Sequence, residues 1–264
     1  MANAFLVKPL PMTVTANGGT SPIGSPSNLA LDYAGLIYQV TQSGGVCGVA
    51  IDLGADTVID TVLVFGVELM AAGATLYLYY STAAAGPATG ASPSDTSGSV
   101  YAGSVTPSNG KGVSYLAMGT PITARYLVVA YIGGGGSNPW RASRIVVGKR
   151  IQLSRNFSMG GAHGVKDLGS ADFSRRGVLQ RSYGAILRTR GLTFSNVKKD
   201  ELESSLLPLI EYLGNTRMVA LVTDPAVDAQ RQNRCYFGLL AGDLGATQRN
   251  VGNFETKLNL VSIF

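Results

Sequence analysis

Apolar residues recur at every second position in short runs that stop at glycine or at Ser/Thr/Pro clusters. A period of two is the mark of a strand with one face in a core and the other in water. In "VAIDLG", Val49, Ile51 and Leu53 share a face opposite Ala50 and Asp52, and Gly54 ends the run. "DTVIDTVLVFG" resumes with Val58, Val62 and Val64, and "ATLYLYYS" sets Leu76, Leu78 and Tyr80 against Thr75, Tyr77 and Tyr79. "GVSYLAMG", the β-prone "ARYLVVAYI" (124–132) and "ASRIVVGKRI" (142–151) extend the series. A mainly β chain follows, and 34 glycines with only 14% charged residues suit many strands joined by turns. The Ala/Gly/Ser/Pro-rich stretch 82–99 reads as a long loop and "GGGGSNPW" as a turn. The most apolar segment, 61–81, is broken by Glu68 and two glycines, so it reads as strand, loop, strand and not as a membrane span.

Composition changes near Gly148, which sets the expected division into residues 1–147 and 148–264. The first part holds five Lys/Arg against six Asp/Glu, the second sixteen against ten. A first part near neutrality with its own apolar pattern is expected to fold alone as a jelly-roll β-sandwich. The second part carries the chain's helix signal, "SNVKKDELESSLLPLIEYLG", expected over 196–213. Ser195 or Asn196 is placed to cap it, Leu202, Leu206, Ile210 and Leu213 line one face, Pro208 should kink it and Gly214 ends it. Strand signals at 184–194, 218–223, 234–242 and 255–264 surround the helix, which implies a β-sandwich or barrel with one flanking helix. The apolar patch in "MANAFLVKPLPMTVTANG" is too short and too proline-broken for a signal peptide, so a cytoplasmic protein is expected.

The chemistry-bearing residues are sparse. Asp52, Asp56 and Asp60 recur at intervals of four and admit three readings: turn and strand-edge carboxylates, a calcium site or an acid/base pair. His163 is the one histidine, so a single chain cannot build a zinc site with two or more histidines or a histidine relay. Cys47 and Cys235 lie too far apart in sequence to suggest a disulfide framework, and nothing in "NRCYFG" suggests an activated nucleophile paired with His163. "IGGGGSNPW" lacks the helix and the Lys-Ser/Thr of a phosphate cradle, no nucleophile elbow is present, and "NFS" (156–158) matches a glycosylation sequon. No catalytic, metal or cofactor site is therefore expected. The sharpest charged feature is the set Arg175, Arg176, Arg181, Arg188 and Arg190 around Tyr183. Nucleic acid could use it, but it spreads over turns and both faces of a strand with carboxylates nearby, so an intersubunit or solvated face is expected and no specific nucleic acid. The apolar end "LNLVSIF", with Phe264, calls for a cover and joins the interface candidates. Trp140 and Arg141, beside the glycine loop, are candidates for a glycan platform.

Two resemblances bear on these residues. Leu29, Asp32 and Tyr33, then "AIDLGADTVIDTVLVFG", "ATLYLYYS" and "ARYLVVAYI", resemble the galactose-binding-like (discoidin-like) jelly roll over most of residues 25–150. That family includes sugar- and surface-binding modules as well as scaffolding. "GKRIQLSRNFSMGGAHGVKDLGSADFSRRGVL", "LTFSNVKKDELESSLLPLIEYLGNTRMVALVTDP" and "RQNRCYFGLLAGDL" resemble minor tail and distal-tail proteins of bacteriophages with long non-contractile tails. This second resemblance implies a structural virion protein, a tail-tube-like sandwich with one helix, and a ring of copies, a hexamer or else a trimer, between tail tube and tip or hub proteins. The ring would be assembled in the bacterial cytoplasm and carried in the virion at the tail tip, without membrane insertion, with the first domain projecting outward. The alternative is an adhesion module that binds a host-surface glycan and is anchored by its second domain.

Overall fold

The computed structural model describes residues 3–43, 47–70, 74–87, 99–101, 112–132, 137–228, 230–242 and 244–264. Most of the expected 82–99 loop and the glycines of the 133–140 turn lie outside the described residues. The protein is mainly β with one short helix.

Two long strands, Cys47–Val67 and Gly112–Ile132, pair antiparallel at the centre of a six-stranded sheet. Each absorbs two of the short runs expected from the sequence. Gly54 does not end the first, because its positive φ of 81° lets the chain pass through an irregularity in the pairing between Asp52 and Thr57. A second shift, between Ile59 and Thr61, resets the alternation, so Val58 is exposed while Val62 and Val64 are buried. Arg144–Gly148 and Thr13–Gly18 also pair with Cys47–Val67, and Thr75–Ser81 pairs with Gly112–Ile132. A three-stranded sheet of Thr20–Ile23, Tyr38–Thr41 and Pro139–Ala142 covers one face of the large sheet. Tyr38, Val40 and Trp140 from the small sheet meet Val49, Ile51, Val62, Leu127 and Val129 in the core between them.

At Lys149 the chain changes sheets. "ASRIVVGKRI" is therefore two strands, Arg144–Gly148 in the first large sheet and Arg150–Gln152 at the edge of an eight-stranded one. Phe5–Val7 departs from the expected division at 147/148. It inserts into the eight-stranded sheet between Arg150–Gln152 and Met218–Val222.

One face of the eight-stranded sheet packs against the helix: Leu202, Leu206, Leu209 and Leu213 rest on Leu192, Phe194, Val219 and Leu258. Its other face completes a sandwich with the first half's sheet. Phe5, Val7, Ala220, Val222 and Phe237 meet Leu63, Phe65, Val113, Tyr115 and Val146 there. This explains why "TVLVFG" is almost wholly apolar: Val62 and Val64 face the first core, and Leu63 and Phe65 face the core shared between the halves. Residues 1–147 alone would leave that second face in water.

The helical segment runs from Lys199 to Leu213, three residues shorter at its start than expected. Neither expected cap acts as one. Lys198 is the N-cap without a side-chain bond, Asn196 has φ 62°, and the Ser195 hydroxyl bonds Ser158 at 2.8 Å. Within it, Leu202–Leu206 is a π-turn in which the Leu207 N–H reaches Leu202 O, five residues back. The widened turn sits directly before Pro208, which has no N–H to contribute and takes a first-turn position of the α-helix Leu207–Leu213.

Candidate functional site

The feature that stands apart from the body is a β-ribbon. Ala162–Asp167 pairs with the start of Ile186–Lys198 at the edge of the eight-stranded sheet, from Ala162 opposite Gly191 to Asp167 opposite Ile186. The ribbon then continues beyond the sheet. Leu168 donates to Ala185 O at 3.0 Å, and Ser170–Phe173 pairs with Leu179–Ser182. Gly169 and Gly184 allow the two backbones to pass closely, since a Cβ on Gly184 would lie 2.3 Å from Gly169 N. The tip is closed by a Gly177 N–H to Ser174 O bond of 2.8 Å and a Val178 N–H to Ser174 Oγ bond of 3.1 Å. From Leu168 to the tip the ribbon extends about 20 Å at strand rise.

Almost every side chain on this ribbon is exposed, including large apolar ones: Phe173 is 68% exposed, Val178 61% and Tyr183 89%. Phe173 and Leu179 are directly opposite, so their side chains share a face, and that face also holds the opposed pair Ala171 and Arg181. Arg175 and Arg176 occupy the tip. The expected arginine cluster thus divides in two. Arg175, Arg176 and Arg181 stand on the ribbon in solvent.

Arg188 and Arg190 are used inside the chain, a correction to their reading as surface residues. The Arg188 guanidinium donates to the main-chain oxygens of Phe264, Asn233 and Cys235 at 3.0–3.1 Å and lies over the Tyr236 ring. Arg190 is 5% exposed and lies over Phe157. Burial lowers the pKa of both. Reversing their charges would therefore break the fold before it could report on assembly. Phe264 likewise finds its cover within the chain, stacked on Phe65 with centroids 5.6 Å apart and against Phe237 at 6.2 Å.

The three aspartates do not converge. Asp52 forms a forked pair with Arg125 (2.9 and 3.2 Å) and accepts from the Gly54 N–H. The Arg125 hydrogen bond, then the Gly54 N–H, hold its carboxyl below the usual range. Asp56 accepts from the Ala83 N–H at 2.8 Å. Asp60 is buried and accepts from the Arg150 N–H (2.8 Å) and Thr61 Oγ (3.0 Å) while pairing with Arg150 Nε at 3.2 Å, so it ties the first sheet to the second. Each works as a turn or strand carboxylate. No group of three His, Cys, Asp or Glu able to hold a metal occurs among the described residues.

Cys235 is fully buried, with its thiol pushed up to about 12 by burial. His163 is exposed on the edge strand, three strands away across the sheet, or about 14 Å at usual strand spacing. The two cannot act as a nucleophile and base. Trp140 is also fully buried, in the first core, which corrects its reading as a sugar platform. Arg141 bonds Glu68 at 2.9 Å and Gln39 at 2.9 and 3.0 Å. The sequon residue Asn156 accepts from the Ala4 and Phe157 N–H groups through its side-chain oxygen.

A second surface feature is an open apolar groove of about 720 Å³. Tyr33, Leu36, Met218 and Ile263 line it, and Asp32 is its one charged liner. It lies where the 31–36 segment of the first half meets the second sheet. Sequence periodicity gave no sign of it, because its walls come from three distant segments.

No family model and no curated protein matches this chain. Among solved structures it is similar to chitosan-binding module 1 of a chitosanase/glucanase from Paenibacillus sp. IK-5, at 16% identity and a TM-score of 0.37 over 52% of this chain and 95% of that one. It is similar to CBM32-1 of a family 31 glycoside hydrolase from Clostridium perfringens, at 15% identity and a TM-score of 0.38 over 54% and 99%. An F-lectin from striped bass (Morone saxatilis) serum aligns over 96% of this chain and 91% of its own, at 10% identity and a TM-score of 0.40. At these identities no residue role passes from them to this chain.

Proposed function

We propose that the chain is a structural assembly subunit, joining copies of itself within a phage tail tip, and that its role is not catalytic. The observation that carries this reading is the ribbon 162–186, on which Phe173, Val178 and Tyr183 stand exposed with arginines at the tip. A free two-stranded ribbon is marginal in water, and exposed apolar clusters commonly mark contact surfaces. The resemblance of residues 148–264 to distal-tail proteins supplies the setting: a ring at the tail tip, with the jelly-roll half outward. The test is electron microscopy of the purified full chain, together with gold-labelled antibody against it on phage particles. Closed rings and label at the tail tip are expected, whereas single particles and unlabelled tails would remove the reading.

A second reading has the jelly-roll half bind a surface glycan; its structural neighbours include a module named as chitosan-binding and an F-lectin. Trp140 and Arg141 are engaged elsewhere, so this reading needs another site, and Tyr33 is the exposed aromatic nearest to meeting the need. Saturable binding on a glycan array that is lost in Tyr33→Ala would favour it.

A further inference from the structure

We propose that the tip of the ribbon of one copy docks in the groove lined by Tyr33, Leu36, Met218 and Ile263 on a second copy. The inference rests on the self-assembly reading above and adds where the contact is made. Three observations carry it. The distal ribbon face presents an adjoining apolar pair, Phe173 and Leu179, beside Arg181, with Arg175 and Arg176 at the tip. The groove presents apolar walls beside a single anion, Asp32. Asp32 is paired with Arg144 at 2.9 Å, yet its side chain stays 43% exposed, so it can take a second guanidinium. Each surface therefore offers what the other lacks: apolar side chains beside guanidinium groups on the ribbon, and apolar walls beside a carboxylate in the groove.

The dimensions agree as well. A groove of about 720 Å³ has room for a phenylalanine and a leucine side chain. Its walls combine the 31–36 segment with Met218 and Ile263, so only the folded, joined chain displays it. Because ribbon and groove are different surfaces, the contact is heterologous: each copy gives a ribbon and receives one, which leads to a ring when the rotation closes.

The test uses the full chain with one cysteine added, Val178→Cys on the ribbon in one preparation and Ala34→Cys at the groove in another. Both positions are exposed, and the native Cys47 and Cys235 are buried, so a short bis-maleimide reaches only the added thiols. An equimolar mixture should give a covalently linked pair on a denaturing gel, while either preparation alone gives little. Adding Phe173→Ser to the ribbon variant should reduce the linked product at least tenfold. Cross-linking of Val178→Cys with itself would show ribbons meeting ribbons and overturn the proposal. Wild-type oligomers by light scattering without a linked pair in the mixture would place assembly at another surface, overturning the proposal and leaving the self-assembly reading standing. Monomers at every concentration would overturn both.

Discussion

Asp60 shows how one carboxylate becomes structural. It sits at the bulge of the long strand and accepts from the Arg150 backbone and side chain, so the start of the edge strand Arg150–Gln152 is fastened to the first sheet. Removing one partner of a buried pair leaves the other unmatched. Asp60→Ala is expected to cost about 3 kcal/mol, the low end for such losses because Arg150 retains some water. Asp56→Ala, which removes one exposed bond, should cost about 1 kcal/mol or less. Urea denaturation of both variants checks the contrast, and equal losses would contradict it. The buried thiols predict a pH effect. Cys47 and Cys235 titrate near 12 when folded, against 9.0 ordinarily. The unfolded chain gives up these protons first, so their contribution is complete below pH 9 and drains away as pH rises towards 12. Each unit of separation is worth about 1.4 kcal/mol per thiol. Denaturant midpoints measured from pH 8 to 11 should fall steadily above 9, and a flat profile would show the thiols to be solvated. Asp52 acts in the opposite direction: its lowered pKa contributes stability above the ordinary carboxylate value that is lost as pH falls through the folded one.

At the scale of elements, helix and ribbon should respond oppositely to similar insults. Leu206 is 1% exposed against the second sheet, so Leu206→Asp buries a carboxylate without a partner and should cost more than about 4 kcal/mol or prevent folding. Phe173→Ser with Leu179→Ser removes one cross-strand pair on the exposed ribbon, outside either core, and should change stability by less than about 1 kcal/mol. Thermal melts of both variants decide it. The helix face was legible because the 3.6-residue period of Leu202, Leu206, Ile210 and Leu213 is a local property. The long strands were less so. Gly54 looked like an end because glycine usually punctuates strands, and only the partner strand reveals that it is passed through at a bulge. Arg188 and Arg190 were misplaced for a related reason: their charge reads as surface, and the three carbonyls that satisfy Arg188 come from segments 45 to 76 residues away. The ribbon left a clear trace, since Val165, Leu168, Phe173, Val178 and Leu179 sit among charges in a segment with no core pattern.

For the whole molecule, the decisive feature is that the two halves share a core. Phe5 and Val7 are at the start of the chain yet lie in the second sheet, and Phe65 of the first sheet stacks on Phe264 at the far end. Such interleaving predicts a single cooperative unfolding transition for the full chain. It also predicts that residues 1–147 expressed alone aggregate or stay unfolded, since Leu63, Phe65, Val113, Tyr115 and Val146 would then face water. Calorimetry of the full chain and amide exchange of the fragment check this, and a well-protected monomeric fragment would restore two independent domains. The most direct test of the account is sedimentation velocity of the full chain beside its Phe173→Ser, Leu179→Ser variant over a range of concentrations. The account predicts that the wild type forms larger species as concentration rises while the equally folded variant remains a monomer, and identical sedimentation of the two would contradict it.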